Sequence, residues 1–101
     1  MSANPTSSVD IKLAPRLDLN AAEALHSEIL SEREGVSTLM IDASEVSLID
    51  TPAVQVLLAA ERDQAARGGK LALRAPSPAF EEAMHLLGLE SQLETWRGKN
   101  E

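Results

Sequence analysis

The chain has no cysteine, no tyrosine, one phenylalanine and one tryptophan. Without thiols there can be no disulfide, no thiolate metal site and no thiol nucleophile, a usage compatible with the cytoplasmic location expected here. Two aromatic rings make no platform on which bases could stack. Bases are scarce as well: nine Lys and Arg stand against sixteen Asp and Glu, for a net charge of −7. A surface of that sign repels phosphate backbones, so no direct nucleic-acid partner is expected. The acids are scattered along the chain, as on a solvated surface. No apolar run approaches the roughly 20 residues of a membrane span, so no direct membrane insertion is expected. The start, Met1 to Ser8, has neither the basic nor the apolar segment of a signal peptide.

Several chemistries lack their parts. His26 and His85 lie far apart and belong to no ligand-spaced cluster, so no metal and no cofactor is expected. A nucleophilic enzyme needs a base beside its nucleophile and a third group to orient it, and nothing in the sequence supplies that set. Gly68-Gly69 follows a helical pattern rather than opening one, so it is not a phosphate-cradling loop. Glu81-Glu82 point in different directions on a helix and are simply solvated. No enzymatic activity and no catalytic residue is expected.

What is present is an ordinary globular composition, 101 residues with 44% apolar, enough for one core without staples. The expected organisation is a flexible tail over 1–8, one domain over 9–97 and a polar end over 98–101. Val9-Asp10-Ile11-Lys12-Leu13 alternates as a half-covered strand does, and Pro15 marks an edge position or a strand end. Leu17-Asp18-Leu19 follows as a second short strand or an extended lead-in. Asn20, with Glu23 three residues on, predicts a capped helix to about Arg33, with Ala21, Ala22, Leu25, Ile29 and Leu30 on its apolar stripe and Gly35 ending it. Thr38 to Asp42 reads as a central strand. A second helix from Pro52 to about Arg67 carries Val54, Val56, Leu57, Leu58, Ala60 and Ala65, and its apolar first half predicts the most buried helix. Lys70 to Arg74 alternates again, and Ser77-Pro78 starts a third helix with Phe80, Ala83, Met84 and Leu87 facing inward. Leu89, Leu93 and Trp96 anchor a short final segment. Strand, helix, strand, helix, strand, helix implies an α/β fold with an at least partly parallel sheet and right-handed crossovers.

One stretch organises the rest. Ser47-Leu48-Ile49 ends a buried strand, Asp50-Thr51 turns, and Pro52-Ala53-Val54-Gln55 leaves as a helix. Thr51 reads as the N-cap and Pro52 as the first helical residue, where a missing N–H costs nothing. Many such pairs are plain helix caps. This one lies where a strand hands over to a helix, the place where α/β folds bind ligands and partners. A phosphate on Thr51 would add about −1.5 to −2 charges beside Asp50. The helix N-terminus would accept that charge, whereas an acidic or apolar partner face would not. Such a hydroxyl can switch docking without switching the fold.

The runs Leu39 to Ser44 and Val46 to Thr51, then Gly68-Gly69-Lys70-Leu71 and Leu87-Gly88-Leu89, resemble a STAS domain over about residues 9 to 95. The resemblance implies a mixed sheet of about four strands with three to four helices packed against it. It implies, too, that Thr51 is a phosphoacceptor for a partner of the histidine-kinase ATPase fold. Asp50 matches the acid before it, and Asp18 resembles a second family acid near the same surface. The expected partner-binding residues are Asp18, Asn20, Asp50, Thr51, Pro52, Ala53 and Gln55. The sequence departs from the family where Pro52-Ala53 replaces a small residue and then Gly, and where Pro15-Arg16-Leu17 replaces a Gly-Glu before the first acid.

Three contexts share this domain. Two use a kinase-fold partner: an anti-sigma factor kinase in a partner switch, or the histidine kinase of a bacterial chemotaxis system. Leu17 to Ala22, Leu25-His26 and Val54 to Leu57 resemble the chemotaxis-associated group. The alternative is the cytoplasmic STAS subunit of a lipid-transport ABC complex.

Overall fold

The computed structural model describes residues 7–98. In chain order these form β1 (Ser8–Lys12), β2 (Arg16–Leu17), α1 (Leu19–Glu32), β3 (Thr38–Asp42), β4 (Leu48–Ile49), α2 (Thr51–Ala66), β5 (Lys70–Arg74), α3 (Pro78–Leu86) and α4 (Glu90–Trp96). The two alternating runs and the compact apolar run between them become one sheet of order β1-β3-β5, with β3 central and both neighbours parallel to it. Ile11, Ile41 and Leu73 stand side by side in register and are buried, so one row of branched side chains seals that face. The two short strands β2 and β4 pair separately, again in parallel, with Leu17 opposite Ile49.

Parallel neighbours cannot be joined by tight hairpins, and the connections carry helices accordingly. α1 leads from β2 to β3, and α2 from β4 to β5. The two helices pack on each other, α2 against β5, α3 against β4, and α4 against α3 and β5. The fold is thus the expected α/β class with four helices. Every pairing among the described residues is parallel, so the antiparallel member that a mixed sheet implies does not lie among them. Of the expected tail, residues 1–6 lie outside the described residues. Ser7 and Ser8 are structured: Ser8 opens β1, and the Ser7 carbonyl accepts from the amides of Ser37 and Thr38 at 3.1 Å each. Of the expected polar end, 99–101 lie outside.

Several side chains differ from the sequence expectation, each for a local reason. α1 is capped by Asp18 rather than Asn20, and starts at Leu19. Leu30 is 44% exposed and Ala21 half-buried, because the face turned to the sheet runs through Ala22, Leu25 and Ile29. Ala65 is exposed and Leu87 is 45% exposed, each in the last turn of its helix or just beyond it, past the end of the core. α2 buries Ala53, Val54, Leu57 and Ala60 as well as Gln64, more positions than any other helix here. Phe80 and Met84 from α3 and Leu93 and Trp96 from α4 complete the core. Ser77 both caps α3 and anchors it: its hydroxyl accepts from the Phe80 amide at 3.1 Å and donates to the Val46 carbonyl at 2.6 Å. That bond fixes α3 to the loop leading into β4.

Candidate functional site

The site is built by the short pair β2 and β4. Leu17 and Ile49 are register partners, and the Asp50 amide donates to the Leu17 carbonyl at 3.0 Å. One residue beyond each strand the chain becomes helix. Asp18 and Asp50 are therefore neighbouring N-cap residues, at the C-terminal ends of two adjacent parallel strands. Pro15 holds this unit in place, since its carbonyl accepts from the amides of Ser47 at 2.7 Å and Leu48 at 3.1 Å and from the Ser47 hydroxyl at 3.0 Å. A proline can still accept there, so the edge residue that cannot donate becomes the anchor.

The two acids are not equivalent. The Asp18 carboxylate accepts from the Ala21 amide at 3.0 Å and its carbonyl from Ala22 at 2.8 Å. Asp18 is thus committed to its own helix. At Asp50 the carbonyl accepts from Ala53 at 3.0 Å and Val54 at 3.3 Å, while the side chain makes no capping bond. Its carboxylate faces solvent with no partner among the described residues. Two helix N-termini and two carboxylates thus lie together, each acid placed where the peptide dipoles favour negative charge.

Thr51 was expected as the N-cap; Asp50 takes that place, and Thr51 is the first residue of α2. The displacement by one residue matters. A capping hydroxyl would be tied to a first-turn amide, but those amides are satisfied by the Asp50 carbonyl and Pro52 has none. Thr51 is exposed, and its hydroxyl has no hydrogen-bond partner among the described residues.

Of the other residues expected on this face, Asn20 and Gln55 are exposed and Pro52 is half-buried. Ala53 is at 0% exposure, packed under the turn as its floor, and cannot itself touch a partner.

The residue pattern did not reveal a trough that opens beside Thr51 between α1 and α2. Its first part, about 290 Å³, is lined by Leu19, Ala22 and Glu23 on α1 and by Pro52, Gln55 and Val56 on α2. A second hollow of about 160 Å³ continues it towards Leu30 and Asp63, and the two share His26, Val56 and Ala59. The signal was available: Leu19, Glu23, His26 and Leu30 recur at helical spacing on one face of α1. Leu30 continues the apolar stripe of the sequence, but its exposure puts it on the trough wall rather than in the core. At the far end the Arg33 guanidinium bonds Asp63 at 2.8 Å, and Arg67 bonds the same carboxylate at 3.1 Å. Burial pushes the Asp63 carboxyl up, but the hydrogen bonds from Arg33 and Arg67 outweigh it and hold it below the ordinary value. That acid remains charged and clips α2 to α1.

Among the described residues no three His, Asp or Glu side chains gather as metal ligands would, and no helix is long and apolar enough to cross a membrane. A family model described as "Mlab, STAS domain" matches residues 2–95. The chain belongs to the STAS domain family. Among solved structures, this STAS domain is similar to the anti-sigma factor antagonist SpoIIAA in its unphosphorylated form. The two share 25% identity over 92% of this chain and 90% of that one, with a TM-score of 0.72. SpoIIAA in its phosphorylated form, described as a Bacillus cell fate determinant, matches at 26% identity over 85% and 79%, with a TM-score of 0.68. A sulfate transporter family protein from Wolinella succinogenes shares the fold, at 18% identity over 89% and 74% and a TM-score of 0.75.

Proposed function

We propose that this STAS domain is a non-enzymatic regulatory module that docks the face around Asp18, Asp50 and Thr51 onto a kinase of the histidine-kinase ATPase fold, and that phosphorylation of Thr51 releases it. The observation that carries the reading is the unengaged, exposed Thr51 hydroxyl at the first turn of α2, next to Asp50, whose carboxylate makes no capping bond. The likeness to SpoIIAA, an antagonist named in both phosphorylated and unphosphorylated forms, supports it. The kinase would belong to an anti-sigma or a chemotaxis system, and the module would work in the cytoplasm beside it.

The chemistry follows from charge. A phosphate at residue 51 adds about −1.5 to −2 charges. The α2 dipole offsets part of this within the molecule, by about 0.3–1 kcal/mol at an exposed helix end. A partner surface that accommodates a neutral threonine beside two carboxylates faces the whole increment. Incubation with the cognate kinase and ATP is expected to add one phosphate, located at Thr51 by fragmentation mass spectrometry, and none to Thr51→Val. An unchanged mass under conditions where the kinase modifies a control antagonist would remove the switch and leave a constitutive binder.

A second reading has its own support in the residues after Thr51. Pro52 and the sealed Ala53 stand where the family carries a small residue and then Gly. A stiff turn of that kind suits a permanent contact, as in the cytoplasmic STAS subunit of a lipid-transport ABC complex. Co-purification with a membrane ATPase, stable to ATP, would favour it.

A further inference from the structure

The trough between α1 and α2 begins at the docking face but runs well past it. It follows α1 from Leu19 to Arg33, about 21 Å at the helical rise per residue. Its floor is apolar through Ala22, Val56 and Ala59, and Leu19, 57% exposed, and Leu30, 44% exposed, project along its α1 wall. Asp18, Glu23 and Asp50 stand at the mouth, none of them in an ion pair among the described residues, and no Lys or Arg lines that half. At the other end Arg33 and Arg67 share Asp63, and Arg67 also reaches Glu34 at 3.9 Å, so the two bases there already face two acids.

We infer that this trough seats an amphipathic helix of the partner, with an apolar stripe along Leu19, Val56, Ala59 and Leu30, with Lys or Arg facing Asp18 and Glu23 on the α1 side of the mouth, and with an apolar surface closing over Thr51, which a charge there would oppose. Its length and shape suit a helix of three to four turns laid along two others, in the manner of helix-in-groove recognition. The charge selects the occupant. A second copy of this chain, meeting the trough across a two-fold axis, would bring the same three acids against one another. An anionic lipid surface would meet the same repulsion. A basic helix complements both the acids and the apolar floor. The inference rests on the docking face proposed above and extends it from one turn to the length of two helices.

The test uses the full chain, 15N-labelled, and a 14-residue synthetic peptide with Leu at i, i+3, i+4 and i+7 and Lys at one end. Its expected footprint is amide shifts confined to Leu19–Leu30 and Pro52–Asp63. The same peptide with Glu for Lys is expected to bind at least about tenfold more weakly. Ala59→Arg, at an exposed position that leaves the circular dichroism spectrum intact, is expected to reduce binding by about tenfold. Equal binding of the two peptides, shifts elsewhere, or no shifts would overturn the inference. Self-association at the same residues, or binding there to anionic vesicles, would overturn it in favour of another occupant. With the native kinase, loss of binding by Thr51→Glu but not by Ala59→Arg removes the trough and keeps the regulator. Loss by Ala59→Arg but not by Thr51→Glu keeps the trough and removes the role of residue 51.

Discussion

Thr51→Glu is expected to weaken binding to the kinase-fold partner at least about tenfold, equivalent to about 1.4 kcal/mol, while the melting temperature barely moves. The asymmetry comes from where the new carboxylate sits. Inside the molecule it lies at the positive end of α2, and the exposed position asks for no repacking. Outside, it stands beside the solvent-facing Asp50 and next to Asp18, so an apolar surface packed over a neutral threonine must bury a charge with no partner. Thr51→Val separates charge from hydroxyl: it keeps affinity within about a factor of three, since an exposed hydroxyl contributes little. Isothermal titration of the three proteins against the same partner reads the difference. Equal affinities for Thr51→Glu and the native chain would count heavily against this face.

The largest effect on stability is expected at Gly69→Ala. A Cβ at that position would lie 2.4 Å from the Ser37 carbonyl oxygen and 3.1 Å from the Ser37 carbonyl carbon, both backbone atoms that cannot swing aside. The same oxygen accepts from the Lys70 amide at 2.8 Å, the bond that starts β5 beside β3. Nearby, the Gly69 amide donates to the Gln64 carbonyl at 2.8 Å, and the buried Gln64 side chain donates to Val36 at 3.2 Å. Relieving the clash means moving the first residue of an edge strand and loosening that group of bonds. The expected cost is about 2–3 kcal/mol, from overpacking plus one weakened hydrogen bond. Urea unfolding followed through Trp96, which is 2% exposed and the single tryptophan of the chain, measures it. An effect below about 0.5 kcal/mol would mean that the α2–β5 connection is far more yielding than its geometry implies. Gly68, by contrast, has a φ of 85° with open space around it, so Gly68→Ala meets backbone strain without a clash.

These two positions also show which parts of the molecule the amino-acid order makes legible. Strands β1 and β5 were readable because each alternates with a period of two, and β3 because Thr38 to Asp42 is a compact apolar run closed by an acid. The handover at Asp50 was readable because Thr-Pro before an apolar run has one plain structural meaning. The cap positions moved by one or two residues, from Asn20 to Asp18 and from Thr51 to Asp50. Consecutive capping-type residues compete locally, and tertiary pairing of Leu17 with Ile49 decides between them. That pairing spans more than thirty residues of chain and leaves no local trace. The burial of Ala53 and the exposure of Leu30 escaped for a related reason. Residue type says how apolar a position is, whereas which flank of a helix meets a neighbour depends on where the neighbour lies. The trough between α1 and α2 is a property of two helices together.

Hydrogen exchange of the chain alone and in complex with its partner kinase tests the central claim most directly. The account predicts slowed exchange over residues 18–23 and 50–56, reversed when Thr51 carries a phosphate or is replaced by Glu. Slowed exchange around the exposed Leu86 and Leu87 at the end of α3, with residues 50–56 unaffected, would contradict it.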